Sequence, residues 1–275
     1  MRELSLFTGA GGGLLGTKLL GWEPIGYVEF NDYCQRVIRQ RIIDGVLPNA
    51  PIFGDIRAFI SEGYAEAYQG LVDVITGGFP CQPFSNAGKR LGADDHRNMW
   101  PATIDCIRII RPRYAFLENV PGLVTSGYFG TILSDLHQSG YDCRWRILSA
   151  AEMGAPHQRD RFWIRAKQRD FFSHSEYNGN GWWKQQPKGI KETIGKDSDS
   201  NGERLERWSG KRQRLGIETL PVKKMWQGVP ESELPRVVNG MADRVERTKA
   251  IGNGQVPICA AVAFLLLAGG ESCSD

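Results

Sequence analysis

The strongest constraint in this chain is a rhythm: apolar runs of four to seven residues alternate with longer amphipathic stretches through the first half of the sequence. Residues 4–7 (LSLF) read as a strand that ends in a glycine cluster. Residues 24–30 (PIGYVEF) read as a second strand, with Asn31 as the N-cap of the helix after it. Further strands are predicted at 72–76, 114–117, 144–149 and 161–166, and helices at 98–110, 129–136 and 256–268. Strand, helix, strand at this spacing predicts βαβ units and a largely parallel sheet, an α/β fold. Ligands of such sheets bind beyond the carboxyl ends of the strands, so chemistry is expected in the segments that follow them.

Composition excludes several other classes. The chain has 275 residues, enough for one large domain or a large domain with a small partner. Its longest apolar run, 258–268, is too short to span a bilayer. The N-terminus lacks a basic cap, apolar core and small-residue cleavage site, so a cytoplasmic protein is expected. Six cysteines are dispersed with no CxxC pair, which fits reduced thiols better than a disulfide framework. No metal-ligand spacing links them to the four histidines, and no metal is expected.

Net charge is only +3, but it is unevenly placed. Residues 167–239 carry 14 Lys or Arg against 10 Asp or Glu, a balance of +4, and the remainder carries −1. Within that segment, 177–216 is rich in Gly, Asn, Ser, Lys and Gln with little periodicity. Trp182, Trp183, Trp208 and nearby Trp226 argue against simple disorder.

Several strand ends carry reactive or ligand-binding groups. The first strand opens into FTGAGGG, where glycines let backbone approach a ligand; the plainer reading is a tight turn. Glu29 closes the second strand, where an acid commonly holds ribose hydroxyls, and Asp55 follows the third candidate segment. Either acid alone fits a solvated side chain. Glycine turn and acid on successive strand ends favour a nucleoside-containing cofactor. The sharpest feature is GGFPCQPFS, directly after strand 72–76. Cys81 lies there between two prolines that stiffen the loop, a setting for a nucleophile rather than a core thiol. LENV ends another strand in Glu118. Arg159 and Arg161 stand two apart on an extended segment and share a face, either in one site or as a surface ladder with Asp160.

Taken in order, FTGAGG, the Glu29-Phe30 strand end, Gly54-Asp55-Ile56, GGFPCQPFS, LENV, the arginine pair and Gly252-Asn253-Gly254-Gln255 resemble the DNA cytosine-5 methyltransferases of bacterial and phage restriction-modification systems. Matching blocks cover residues 4–166 and 240–268, and FPCQPFS with LENV is the specific combination. The resemblance implies a Rossmann-like S-adenosylmethionine-dependent sheet formed by 1–166 and 240–275, and a small irregular target-recognition domain at 167–239. It departs from the usual pattern at Ser5, where an aspartate is common, and at His157, where a glutamine is.

The resemblance also assigns roles. Cys81 would attack carbon 6 of a cytosine, Glu118 would serve its N3, and Arg159 and Arg161 would hold its O2 and the nearby backbone. Phe7, Gly9, Ala10, Gly11 and Gly12 would line the methionine and ribose side of S-adenosylmethionine. Glu29 would take the ribose hydroxyls, Phe30 would pack on adenine, and Asp55 and Ile56 would meet its edge. Gly78 and Pro80 would border the donor, and Asn253 and Gly254 would bring the last helix beside the first loop. Asn98 and Trp100 fall in a less distinct motif. Duplex DNA is the expected partner, with a companion endonuclease, no membrane and a monomeric enzyme. Gln82 and Ser85, with Arg204, Arg207, Lys211, Arg212 and Arg214 for phosphates, are the expected DNA contacts. A tRNA-modifying branch of the family and a non-catalytic DNA-binding relative are the alternatives. An NAD oxidoreductase would leave FPCQPFS and LENV unexplained.

Overall fold

The apolar runs pair into one sheet. In the computed structural model, which describes residues 1–80, 98–169, 246, 250 and 252–269, its strands are β1 (Arg2–Leu6), β2 (Glu23–Val28), β3 (Ile52–Phe53), β4 (Val74–Gly77), β5 (Tyr114–Asn119), β6 (Tyr141–Ser149) and β7 (Asp160–Gln168). They lie in the order β3-β2-β1-β4-β5-β7-β6. The first five are parallel, and β7 runs antiparallel between β5 and β6. All described residues belong to one of two compact units, Met1–Arg169 with Ser232–Asp275. The other, Asp170–Glu231, lies outside the described residues and contains most of the expected target-recognition segment.

The order of strands dictates where a ligand fits. From β1 the chain winds outward to β2 and β3, then returns to β4 on the other side of β1. The connections therefore diverge at the carboxyl ends of β1 and β4, and a crevice opens there. Both glycine-rich segments, after Leu6 and after Val74–Gly77, lie at this switch point.

Alternation along the strands sends Leu4, Leu6 and Ile75 to one face, into a core with Phe59, Trp100, Ile104 and Ile107. Those partners come from α3 (Ile56–Ser61) and α5 (Trp100–Ile110), and α7 (Phe129–Gln138) adds Ile132 and Leu136. The opposite face carries α1 (Gly12–Leu19) and the last helix, which becomes α8 (Pro257–Ala268) once α2 (Asp32–Ile43), α4 (Tyr64–Ala67) and α6 (Gly122–Thr125) are counted. Asn31 caps α2 as predicted, its Oδ1 accepting from Cys34 N at 3.0 Å. α8 is apolar nearly all round because it is buried between α1, β6 and β7. A Cβ on Gly16 would collide with the Pro257 carbonyl and the Ala260 methyl, so this glycine sets how closely α1 and α8 pack. No helix among the described residues is long and apolar enough to cross a membrane.

The C-terminus of α8 is held by two arginines from the sheet. Arg144 donates to the carbonyls of Leu267 and Ala268, and Arg165 donates to Leu267. Arg165 is buried with its guanidinium 4.6 Å from the Tyr114 ring and 5.2 Å from Phe264. Positive charge at this helix end complements the macrodipole.

One buried acid has no counterpart in the pattern of the sequence. Glu3, on β1, is fully buried beneath α1, and the hydroxyls of Thr17 and Thr76 each donate to it at 2.6 Å. Burial pushes its carboxyl up to about 7, against the pull of those two hydroxyls. Between its unfolded value and about 7 the folded state binds the extra proton, so this group lowers stability as pH rises through that window. Glu3→Gln keeps the hydrogen bonding and removes the titration. Urea unfolding is expected to show the variant gaining roughly 2 kcal/mol over wild type at pH 8 and almost nothing at pH 5. An equal difference at both pH values would contradict a buried titrating acid.

Candidate active site

The crevice is built from three loops. The first leaves β1 at Phe7, whose φ of 51° is left-handed, and continues through Gly9 at 58°. The Phe7 conformation costs roughly 1 kcal/mol and turns the chain back into α1, leaving the loop backbone open to the crevice. Glu29 fixes this loop: its Oε2 accepts from Gly9 N at 2.6 Å and its Oε1 from Asn31 N at 2.8 Å. Burial raises the Glu29 carboxyl while these two backbone donors pull it down. Each oxygen keeps a further lone pair, so the acid holds the loop and still has capacity for a ligand hydroxyl.

The second loop follows β4. Phe79 is buried with its ring 5.4 Å from that of Trp100, and Asn119 Nδ2 donates to its carbonyl at 3.1 Å. This anchors the chain one residue before Pro80. Cys81, Gln82 and Ser85 lie outside the described residues, as do Arg204, Arg207, Lys211, Arg212 and Arg214. Where description resumes, Asn98 donates to the Tyr128 hydroxyl at 2.8 Å, and Trp100 Nε1 donates to Asp135 at 2.7 Å. The chain on both sides of residues 81–97 is thus tied to the same core.

The third loop, residues 252–256, leads into α8. Arg159 donates to the carbonyls of Gly252 and Gly254 and so clamps it. Arg159 Nε is buried with no hydrogen-bond partner among the described residues.

These loops surround Glu118. Phe7, Gly9, Gly12, Gly78, Asn253 and Gly254 line one cleft with Glu118 at its side. Ala10 and Gly11 lie in the β1–α1 turn outside that lining, and Pro80 stands beyond Gly78. Glu29, Phe30, Asp55 and Ile56 follow the carboxyl ends of β2 and β3, outside that lining. Phe30 is 73% exposed, a bare aromatic face beside Glu29. Asp55 caps α3 through Arg57 N at 2.9 Å and pairs with the Arg57 side chain, which holds its carboxyl below the usual range. The Ile56 side chain is buried in the core.

Glu118 itself is 8% exposed. Arg161 Nε lies 2.8 Å from its Oε1, and Gln255 Nε2 donates to Oε2 at 3.5 Å. Burial drives the carboxyl above its ordinary range, opposed by Arg161, Gln255 and Arg159. Burial and the neighbouring Arg161 hold the Arg159 guanidinium below its usual value. Of the two arginines of the RDR segment, Arg161 pairs with the acid and Arg159 holds the third loop beside it.

Comparison with known proteins decides the family. The C-5 cytosine-specific DNA methylase family matches residues 1–254. The chain belongs to this family. Its enzyme class is DNA (cytosine-5-)-methyltransferase. The Type II methyltransferase M.NgoMIV of Neisseria gonorrhoeae is 31% identical over 229 residues, which cover 81% of this chain and 69% of that protein. The Type II methyltransferase M.NaeI of Lentzea aerocolonigenes is 33% identical over 71% of this chain, but that match covers only 45% of its own length. The S. pombe Dnmt2 methyltransferase crystal structure superposes over 99% of both chains with a TM-score of 0.59 at 17% identity, a likeness of fold.

Sequence reasoning missed two members of this methylase site. Gln255 stood in a quoted motif without a role, and nothing local shows that it meets an acid 137 residues earlier. Asn119 is the neighbour of the expected acid, and its hold on Phe79 depends on β4 and β5 lying side by side.

Proposed function

We propose that this chain transfers a methyl group from S-adenosylmethionine to carbon 5 of a cytosine flipped out of duplex DNA, through a covalent adduct with Cys81. The observation that carries the reading is Glu118, paired with Arg161, on a glycine-lined cleft at the β1/β4 switch point, beside the loop that Arg159 clamps. The crevice fits the cofactor: Glu29 offers acceptors for a ribose diol, Phe30 a face for a purine, and the first loop open backbone for the amino-acid end. Bound there, S-adenosylmethionine supplies an electrophilic methyl group on a sulfonium.

Cytosine is a poor nucleophile at carbon 5, and Cys81 answers this by adding its thiolate to carbon 6. Glu118 donates a proton to N3 as charge builds on the ring, which needs the neutral acid that burial favours. The buried Arg159 Nε is a donor for the cytosine O2, while Arg161 holds Glu118 in place. Loss of the carbon 5 proton to a base then lets the Cys81 thiolate leave. Unstacking the target costs a few kcal/mol, offset by phosphate contacts from the basic segment. The Type II methyltransferases among its relatives support a place beside a companion restriction endonuclease.

Bisulfite sequencing of DNA from cells expressing this chain tests the reading. Protected cytosines in one recurring sequence are expected. Full conversion of all DNA, with labelled methyl groups appearing only in tRNA, would contradict the substrate.

A further inference from the structure

Gln255 occupies a slot that the sequence has cleared for it. A Cβ on Gly13 would collide with Gln255 Oε1. A Cβ on Gly78 would come within 2.8 Å of Glu118 Oε2 and 3.2 Å of Gln255 Nε2. A Cβ on Gly12 would strike the Gln255 backbone. Three glycines, two at the start of α1 and one just after β4, thus leave room for one side chain to pass from the third loop to Glu118. Arg159 holds that third loop by the carbonyls of Gly252 and Gly254, three positions and one position before Gln255 in the chain.

We propose that Gln255 is a positioning residue for Glu118, a partner that can hydrogen-bond the acid in either protonation state. This rests on Glu118 acting as the acid at cytosine N3. A primary amide carries donors on nitrogen and acceptors on oxygen. Toward the carboxylate it presents Nε2, as the structure has it at Oε2. Toward the neutral acid a half-turn of the amide presents Oε1 to the acid hydroxyl. The other charged groups facing Glu118 among the described residues, Arg161 and Arg159, are donors only and favour the carboxylate. Gln255 is therefore the neighbour that can follow the proton as Glu118 gains and gives it.

Gln255→Met keeps the length of the side chain and removes the hydrogen bonding. Gln255→Glu keeps the size and sets a second acid against the first. Difference infrared titration of the protein without DNA, with Glu118→Gln assigning the band, reads the Glu118 midpoint whether or not the chain methylates DNA. Loss of a donor to the carboxylate is expected to raise the midpoint by about one pH unit in Gln255→Met, and by more in Gln255→Glu. In methyl transfer to duplex DNA, Gln255→Met is expected to lose about tenfold in kcat, with KM for DNA changed by less than about threefold and the alkaline limb moved in the same direction. An unmoved midpoint in both variants overturns the proposal. An active wild type with Gln255→Met matching it in kcat and pH profile also overturns it. Absence of wild-type methylation with a shifted midpoint would overturn the function above and leave the pairing supported.

Discussion

Cys81→Ala is expected to lose methyl transfer by on the order of 10⁴-fold or more, because in the proposed chemistry its thiolate makes carbon 5 nucleophilic. None of the cysteines among the described residues is placed to take over that step. The described cysteines, Cys34, Cys106, Cys143 and Cys259, sit in the core or partly buried, and burial raises each thiol. A thiol held that way resists becoming a thiolate. Binding of duplex DNA is expected to survive the change, since phosphate contacts come from elsewhere. Methyl transfer rates and DNA affinity measured side by side check this. Undiminished transfer in Cys81→Ala would remove the nucleophile from the account.

Glu118→Gln is expected to lower kcat by about 10²–10³-fold, the scale seen when one donor to a developing charge is removed. The amide can still hydrogen-bond N3 but cannot give it a proton. The pH dependence separates this from a loss of fit. Burial raises the Glu118 carboxyl, so the wild-type rate is highest while the acid is protonated and falls as pH rises through its raised value. Arg161 at 2.8 Å works the other way, favouring the carboxylate and drawing that limb down in pH. DNA bound over the cleft in the proposed complex would exclude water and strengthen the burial side of this balance. Glu118→Gln is expected to lose the alkaline limb, and rates across pH check it. A parallel drop at every pH, with the limb intact, would assign the titration to another group.

The sheet was legible because its strands are short apolar runs bounded by glycine, and because long, amphipathic helices separate them. β3 is two residues long and escaped that pattern; it pairs with β2 through Tyr27–Ile52 and Val28–Phe53. The acid of LENV and the arginine pair were legible as types at strand ends. Their meeting was not, because Glu118 and Arg161 come together only through antiparallel pairing of β5 with β7. The glycine cluster after β1 reads in sequence as a turn for a ligand. In the fold, Gly12, Gly13 and Gly16 each meet the segment leading into or forming α8, so part of their service is packing against a stretch more than 230 residues away. Glu3 was invisible for a related reason. A charged residue in a strand pattern suggests an exposed edge, and its burial depends on hydroxyls from α1 and β4.

The proposed chemistry turns on a bond between the Cys81 sulfur and carbon 6 of cytosine. It is tested by incubating the protein with S-adenosylmethionine and a duplex that carries 5-fluorocytosine at the position mapped by bisulfite sequencing. Fluorine at carbon 5 cannot leave as a proton does, so the adduct persists and can be digested for mass spectrometry. A denaturation-resistant complex is expected, with the nucleotide on the peptide containing Cys81. An adduct on a different residue, or none from protein that methylates the ordinary duplex, would contradict it.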